Sequence, residues 1–253
     1  MFDVIRIPAF KDNYIWLLRK GAAAVVVDPG DARPVLEVLD AEGLSLSAIL
    51  VTHHHADHQG GVADLLAYYP AEVFGPASES ITGITKLLRG GETIGLPALG
   101  VEFEVLAVPG HTLGHLAYYG SGCLFCGDTL FGAGCGRLFE GTAAQMHASL
   151  MRLASKPDQT AVYCAHEYTE SNLRFAVAVE PGNDRLRQRV DEVKAARAKG
   201  WATVPSTMSL EKQTNPFLRC HEPGIMASAQ RRVPRAQNAV EVFAALREWK
   251  NSY

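Results

Sequence analysis

Four histidines and one aspartate occupy seven consecutive positions near the start of the chain, in the sequence Thr-His-His-His-Ala-Asp-His over residues 52–58. Neutral imidazole and carboxylate are common ligands of zinc, iron and manganese. His53 and His55 are two apart, so in an extended segment both side chains leave on one side. Asp57 and His58 are adjacent and must point in different directions there. One ion cannot easily collect all four ligands from so short a loop, so the spacing favours two ions, one on each pair.

Two other interpretations of this histidine segment are weaker. A polar turn in water could hold the same residue types, and so could a purification tag. A tag would be terminal and would not alternate with Asp and Ala. On the same spacing argument His54 points away from its neighbours, so it is left out of the expected site.

Each further candidate ligand directly follows an apolar segment. Residues 48–51 precede the histidine segment, and three later apolar runs end at His111, Asp128 and His166. Short apolar runs of this kind are typical of buried strands. Loops at strand ends usually carry the chemistry of α/β proteins, so we expect these loops to meet at one rim. His115 opens a strand and is expected to have a structural or supporting role.

These later residues complete both expected metal sites. His111 adds a third imidazole to the first histidine pair, and His166 adds a third ligand to the aspartate–histidine pair. Asp128 has two carboxylate oxygens and can bridge both ions. The expected ligands are His53, His55, Asp57, His58, His111, Asp128 and His166.

The composition is typical of a globular protein outside the membrane. The chain has 253 residues, 47% of them hydrophobic, which suits one large or two modest domains. No apolar run reaches the roughly 18 residues of a membrane span, and the N-terminus does not resemble a secretory signal. The five cysteines show no disulfide framework, so we expect a reducing compartment, the cytoplasm. Cys123 and Cys126 are interpreted as packed thiols.

Charge is unevenly distributed along the chain. Residues 1–169 hold 10 Lys+Arg and 18 Asp+Glu, whereas residues 170–253 hold 14 and 9, within a net charge of −3. The basic C-terminal part could attract an anionic ligand. For most of these side chains, ordinary helix faces in contact with water remain the preferred interpretation.

Periodicity predicts a β-rich part over residues 1–169 and a helical domain over residues 170–253. No strand pattern follows residue 170, and residues 76–100 are turn-rich and hard to assign. Helices are expected over 34–42, 61–69, 142–155, 170–180, 183–199 and 237–250, with a capping box at Thr142 and Gln145 and a cap at Asn183. Strands are expected over 2–7, 13–19, 23–28, 48–51, 72–75, 101–108, 115–119, 122–127 and 161–165.

The histidine segment, the Pro-Gly-His of 109–111 and Gly127-Asp128 together resemble the metallo-β-lactamase superfamily. Within it, the Gly-Cys-Gly of 134–136, the Asn-Pro-Phe of 215–217 and the helical tail resemble the glyoxalase II, or hydroxyacylglutathione hydrolase, family. The resemblance covers the whole chain. It implies an α/β fold, an αββα sandwich of two sheets between helices, followed by a smaller all-helical domain.

The resemblance also implies an activity, a cofactor and a partner. The activity is hydrolysis of S-(2-hydroxyacyl)glutathione, typically S-D-lactoylglutathione, to glutathione and D-lactate, the second step of methylglyoxal detoxification. The cofactor is a pair of divalent ions that share a hydroxide, with zinc expected and iron or manganese as alternatives. Asp57 and Asp128 are the expected catalytic carboxylates. The small glutathione thioester is the expected partner of a monomer, without nucleic acid or membrane.

Five residues are expected to bind glutathione, because they match the family positions that do so. Arg137 stands where some members have Lys, which keeps the charge and changes its geometry. Phe139 stands where some have Tyr, and it lacks the hydroxyl that a tyrosine would offer for a hydrogen bond. Arg247 and Lys250 are three apart and therefore share a helix face. The expected binding residues are Arg137, Phe139, Tyr168, Arg247 and Lys250.

Four other functions use parts of the same pattern. A β-lactam or lactone hydrolase would use the histidine segment without needing the helical tail. A nuclease would need a basic and aromatic phosphate-binding insert, and the sequence has no concentrated one. A sulfur dioxygenase would use a single iron, which the full second ligand set disfavours. A metal-stabilised scaffold would be expected to lack ligands, and all seven candidates are present.

Overall fold

The computed structural model describes residues 2–253, which divide into two compact units. The first unit runs to Ala107 and resumes over Gly114–Gly127. The second unit comprises Val108–Leu113 and Asp128–Tyr253. Within the described residues, no helix has the length and apolar character needed to cross a membrane.

The first unit contains two sheets and three helices within the described residues. Strands β1–β6 form one sheet in sequence order, antiparallel from β1 to β3 and parallel from β3 to β6, while β7–β10 form an antiparallel meander. The elements are β1 (Asp3–Ala9), β2 (Asn13–Lys20), β3 (Ala23–Val27), α1 (Ala32–Ala41), β4 (Ser45–Leu50), α2 (Ala56–Gln59), α3 (Val62–Tyr68), β5 (Glu72–Pro76), β6 (Lys86–Leu88), β7 (Thr93–Leu96), β8 (Val101–Ala107), β9 (Leu116–Gly120) and β10 (Cys123–Gly127).

The central strands of the first sheet are buried on both faces. Leu17 and Val26 are paired and belong to a core cluster that also contains residues of α1 and α3. Their neighbours Leu18 and Val25 point to the opposite face and are equally buried. A sheet covered on both sides needs nearly continuous apolar strands, which is why these segments lack a polar alternation. A hydrogen bond links the two sheets of this unit, since the hydroxyl of Tyr118 in β9 donates to the carbonyl of Val51, just after β4, at 2.7 Å.

The second unit is mostly helical. Helix α5 packs against α6 and α8, and α9 packs against α4 and α8. Two short antiparallel pairs, β11 with β12 and β13 with β14, complete it. Its elements are β11 (Leu130–Phe131), β12 (Gly134–Cys135), α4 (Ala143–Ala154), β13 (Ala161–Cys164), α5 (Thr169–Val179), α6 (Asp184–Ala198), β14 (Ser206–Thr207), α7 (Met208–Thr214), α8 (Pro223–Gln230) and α9 (Ala239–Asn251).

Most of the predicted elements are present near their predicted bounds. The capping box of Thr142 with Gln145 and the cap at Asn183 are both confirmed. The expectation of no strand beyond residue 170 is wrong, because β14 lies there; two residues are too few to show a period of two. The sequence analysis also did not predict α2, β6, β7, β11, β12, α7 and α8. In α7 the buried positions include Glu211 and Thr214, which interrupt the apolar pattern expected of a packed helix. The domain boundary at residue 169 stays a prediction.

Candidate metal centre and substrate pocket

The histidine segment follows β4 and ends in the four-residue helix α2. His53 is fully buried, and His55 has extended backbone at the N-terminus of α2, which carries Asp57 and His58. The turn after β3 packs directly on this helix. A Cβ atom at Gly30 would lie 2.0 Å from the carbonyl oxygen of Asp57, so glycine is required for this close approach.

The four ligand candidates of the first unit lie at distances that suit metal coordination. The Nε2 atom of His53 is 3.0 Å from Nδ1 of His55, and Nε2 of His58 is 3.6 Å from Oδ2 of Asp57. Two ligand atoms on one tetrahedral zinc ion lie roughly 3.3 Å apart, given bonds of about 2.0–2.1 Å. The structure therefore brings together the two pairs that the spacing predicted.

Asp28, which the sequence analysis placed only at the end of a predicted strand, supports these candidate ligands. Its Oδ1 accepts from the Thr52 backbone N–H at 2.7 Å, and its Oδ2 accepts from the Thr52 hydroxyl at 2.8 Å. The same Oδ2 lies 3.0 Å from Nδ1 of His58. A carboxylate on the far nitrogen fixes the ring orientation and tautomer of a metal-binding histidine. Asp28 follows β3 directly, as the predicted ligands follow their strands, and that signal could have identified it.

Three further residues contact the histidine segment, namely Asn13, His115 and Glu79. The Asn13 side-chain amide donates to Oδ2 of Asp57 at 2.9 Å, a role the sequence analysis missed. The buried ring of His115 stacks on His53 with centroids 4.6 Å apart, as a supporting residue would. His54 instead lies 3.1 Å from a carboxylate oxygen of Glu79, in agreement with its exclusion from the predicted ligands.

In the second unit, Asp128 lies between two histidines. Its Oδ2 is 3.4 Å from Nε2 of His111, and its Oδ1 is 3.3 Å from Nε2 of His166. All three side chains are buried. The Nδ1 atom of His111 lies 2.9 Å from the Arg137 carbonyl oxygen, and His166 stacks on Tyr168. Each oxygen of one carboxylate thus approaches a different imidazole, which is the arrangement a bridging ligand needs.

The donor chemistry of both units fits divalent ions. The donors are imidazole nitrogens and carboxylate oxygens, and oxygen atoms hold the far nitrogens of His58 and His111. Such donors suit zinc, iron and manganese alike, so they do not select the metal.

A cavity of about 440 Å³ opens in the second unit beside Asp128 and His111. The five residues predicted to bind glutathione all line it, although they are spread over more than a hundred positions of sequence: Arg137, Phe139, Tyr168, Arg247 and Lys250.

The two cations of α9 have different environments in this cavity. Arg247 is only 4% exposed, and its Nη1 donates to the Cys135 carbonyl at 2.9 Å. Lys250 is half-buried and donates to the Ser171 carbonyl at 3.3 Å. Burial lowers the pKa of Lys250 to about 8, and the charge of Arg247 acts in the same direction.

Two family models together match nearly the whole chain. The metallo-β-lactamase superfamily matches residues 10–166, and the hydroxyacylglutathione hydrolase C-terminus matches residues 167–253. The chain is 57% identical to the hydroxyacylglutathione hydrolase of Dechloromonas aromatica (strain RCB), over 100% of both chains. The corresponding enzyme of Methylobacillus flagellatus is 55% identical, also over 100% of both chains. The chain belongs to the hydroxyacylglutathione hydrolase family.

Two solved structures share the fold of this hydroxyacylglutathione hydrolase family member. ETHE1 from Myxococcus xanthus is 24% identical and matches with a TM-score of 0.66, over 100% of this chain and 99% of that one. TTHA1623, crystallised in a di-iron-bound form, is 27% identical and has a TM-score of 0.60, over 85% of this chain and 100% of that one. The expected α/β fold, a metallo-β-lactamase domain followed by a helical C-terminal domain, is confirmed.

Proposed function

We propose that this protein hydrolyses the thioester of S-(2-hydroxyacyl)glutathione, typically S-D-lactoylglutathione, to glutathione and a 2-hydroxy acid. The observation that carries the proposal is the cavity of the second unit, in which Arg137, Arg247 and Lys250 line the same space as Asp128. Cations there suit an anionic peptide thioester, and the carboxylate marks where its reacting carbonyl would lie. The names of the full-length relatives support the same substrate class.

We propose two divalent ions, with zinc first and iron or manganese as alternatives. One ion is assigned to His53, His55 and His111, and the other to Asp57, His58 and His166, with Asp128 shared between them. When bound, such ions supply a hydroxide at neutral pH and positive charge for the oxyanion of the addition step.

The carboxylates of the chain have two roles in this proposal. Asp128 offers one oxygen to each histidine of the second unit, which orients it as a bridge. Asp57 is held by the amide of Asn13. Either carboxylate can accept the single hydrogen bond that a hydroxide donates, and so orient it toward the thioester carbon. The leaving thiolate has a reference pKa of about 8.5, so it departs without a strong general acid.

The cavity residues bind the glutathione part of the substrate. Glutathione carries two carboxylates and one ammonium, so the cations of Arg137, Arg247 and Lys250 complement its net charge. The hydroxyl of Tyr168 can add a hydrogen bond. Phe139 offers only its ring, which packs edge-on against His111 with centroids 5.1 Å apart.

The test compares S-D-lactoylglutathione, a β-lactam and a phosphodiester as substrates of the purified protein, with metal counted per chain. We expect the thioester to be hydrolysed with a kcat/KM in the range of about 10⁴–10⁸ M⁻¹s⁻¹, by protein that holds two ions. The matched variant Asp128→Asn should hold less metal and lose activity. Faster hydrolysis of the β-lactam, or full activity with a single ion per chain, would contradict the proposal.

We also propose that the protein acts as a monomer in the cytoplasm. None of the five cysteines, all of which lie in the described part of the chain, forms a disulfide bond, which suits a reducing compartment. Sedimentation at several protein concentrations tests the monomer, and fractionation of producing cells tests the compartment.

A further inference from the structure

The hairpin formed by β11 and β12 is held by side chains of the C-terminal helices. The Ala133 backbone N–H donates to Oε2 of Glu211 at 2.8 Å. The side-chain amide of Asn215 donates to the carbonyls of Phe131 at 3.2 Å and Gly134 at 2.9 Å. One amide group therefore bonds to both strands of the hairpin.

Two more helices bond to the same short segment. The Asn172 amide on α5 donates to the Gly132 carbonyl at 3.0 Å, and Arg247 on α9 donates to the Cys135 carbonyl at 2.9 Å. Each of the five consecutive residues from 131 to 135 thus has a backbone group bonded to a helix side chain. The hairpin also packs closely against α5, because a Cβ atom at Gly134 would lie 2.4 Å from the side-chain amide nitrogen of Asn172.

The turn of this hairpin has a backbone conformation that needs such support. Ala133 is fully buried with φ of 53°, in the left-handed region that residues with a Cβ atom rarely adopt. Conformations of this kind persist where the surroundings determine them. Here the acceptor is the buried carboxylate of Glu211, which pairs with Arg189 at 2.5 Å and also accepts from Asn215 at 3.1 Å.

Both ends of the hairpin lead to proposed metal ligands. Asp128 precedes β11 by two residues, and the Gly136 N–H just after β12 donates to the Thr129 carbonyl at 3.2 Å. The next carbonyl, that of Arg137, lies 2.9 Å from Nδ1 of His111. A shift of the hairpin would therefore move the Asp128 carboxylate, the orientation of His111 and the Arg137 wall of the cavity together.

We infer that Asn215 is a positioning residue for the reaction, which acts through the β11–β12 hairpin on Asp128 and His111. It does not line the cavity, so its effect reaches the reacting atoms only through the backbone it holds. This inference rests on the proposed function for its kinetic readout. Its metal-affinity readout is independent of which substrate is hydrolysed.

The experiment compares Asn215→Ala with Ser228→Ala in the full-length, metal-loaded protein. Ser228 is the matched control, because it is buried in the same unit and donates to the Val179 carbonyl at 2.6 Å, away from the hairpin. The measurements are kcat, KM, metal retention against a chelator, the urea midpoint of unfolding, and hydrogen exchange of the peptide covering residues 129–137.

For Asn215→Ala we expect kcat to fall about 10- to 100-fold and metal affinity to fall about tenfold or more, with faster exchange in the hairpin peptide. Ser228→Ala should keep kcat and metal affinity within about twofold of the wild-type values. This should hold even if its urea midpoint of unfolding falls as far as that of Asn215→Ala. If the Ala variant does not fold, Asn215→Ser removes the amide donor with less change in volume.

Equal kinetics and metal affinity in the two variants would overturn the inference, and so would wild-type values in Asn215→Ala. If the wild-type protein fails to hydrolyse the thioester, the proposed function fails. The chelator and exchange measurements then still decide the role of Asn215.

Discussion

At the scale of single residues, Asp28 shows how a neighbouring carboxylate can orient His58, a proposed metal ligand. The Nδ1 atom of His58 lies 3.0 Å from its carboxylate, which leaves Nε2 for the metal. The carboxylate also accepts two hydrogen bonds from Thr52, at the start of the histidine segment. One buried side chain therefore orients both the segment and one of its imidazoles.

We predict that Asp28→Asn lowers metal affinity by about 10- to 100-fold. An amide N–H in place of Oδ2 would face Nδ1 of His58 and favour the tautomer with the proton on Nε2, which cannot bind a metal. Metal content after dialysis against a weak chelator measures this. Asp40→Asn, at an exposed position of α1, is the control and should retain wild-type metal content.

Lys250 predicts a pH dependence of substrate binding. Its lowered pKa of about 8 means that the ammonium is charged below this pH and is lost as the pH rises through it. Since a carboxylate pairs only with the charged form, the Kd of a non-hydrolysable S-alkylglutathione should rise above pH 8.

The matched variant for Lys250 is Lys250→Arg, because a guanidinium stays charged throughout this range. Any change in Kd that comes from titration of the ligand itself affects both proteins equally. We therefore expect Kd to rise more steeply above pH 8 in the wild-type protein than in Lys250→Arg. Parallel pH profiles for the two proteins would exclude Lys250 as the titrating group.

At the scale of elements, α9 carries two of the cations that we propose as substrate contacts. Its buried face presents Arg247 to the cavity, and Lys250 follows three residues later on the same side. The helix begins at a cap, in which the Asn238 side chain accepts from the Glu241 N–H. The capped N-terminus of α9 and its packing against the rest of the unit hold Arg247 and Lys250 at fixed positions.

Arg247→Gln should raise KM for the thioester about 10- to 100-fold, the loss expected for a hydrogen bond to a charged group, with kcat within about threefold. A full charge reversal, Arg247→Glu, is expected to act in the same direction, but it would bury a carboxylate. Glutamine keeps a donor for the Cys135 carbonyl. Initial-rate kinetics decide this, with Glu248→Gln on the exposed face of α9 as the control. An unchanged KM would remove α9 from the glutathione site.

At the scale of the whole molecule, the proposed ligands are spread from residue 53 to residue 166. Ions bound by them would cross-link distant parts of the chain in the folded state. The unfolded chain could not hold the same set together. Metal binding by this proposed ligand set would therefore be coupled to folding.

Removal of the metal should lower the stability of the whole chain. A ligand at a thousand times its Kd stabilises the native state by about 4 kcal/mol, which corresponds to a shift in Tm of about 10 °C for a chain of this size. Thermal unfolding of the stripped and reloaded protein measures it. Asp128→Asn should show a smaller difference, and an equal difference in both proteins would argue against Asp128 as a ligand.

The sequence by itself predicted the donor residues and their pairing along the chain. The spacing of the candidate ligands in the histidine segment can be seen within seven residues. The apolar segment before each later candidate ligand predicted that this ligand lies in a loop at the end of a strand. Local patterns of this kind need no knowledge of what packs against them. The caps at Thr142 and Asn183 were predictable for the same reason.

Only the tertiary structure decided which side chains orient these donors. Asp28 and His58 are thirty residues apart, and Asn215 lies more than eighty residues from the hairpin carbonyl of Phe131. The local sequence around Asp28 or Asn215 does not indicate which residue each one contacts. Such contacts arise from how helices and strands pack, because a buried polar group takes the partner that the fold brings to it.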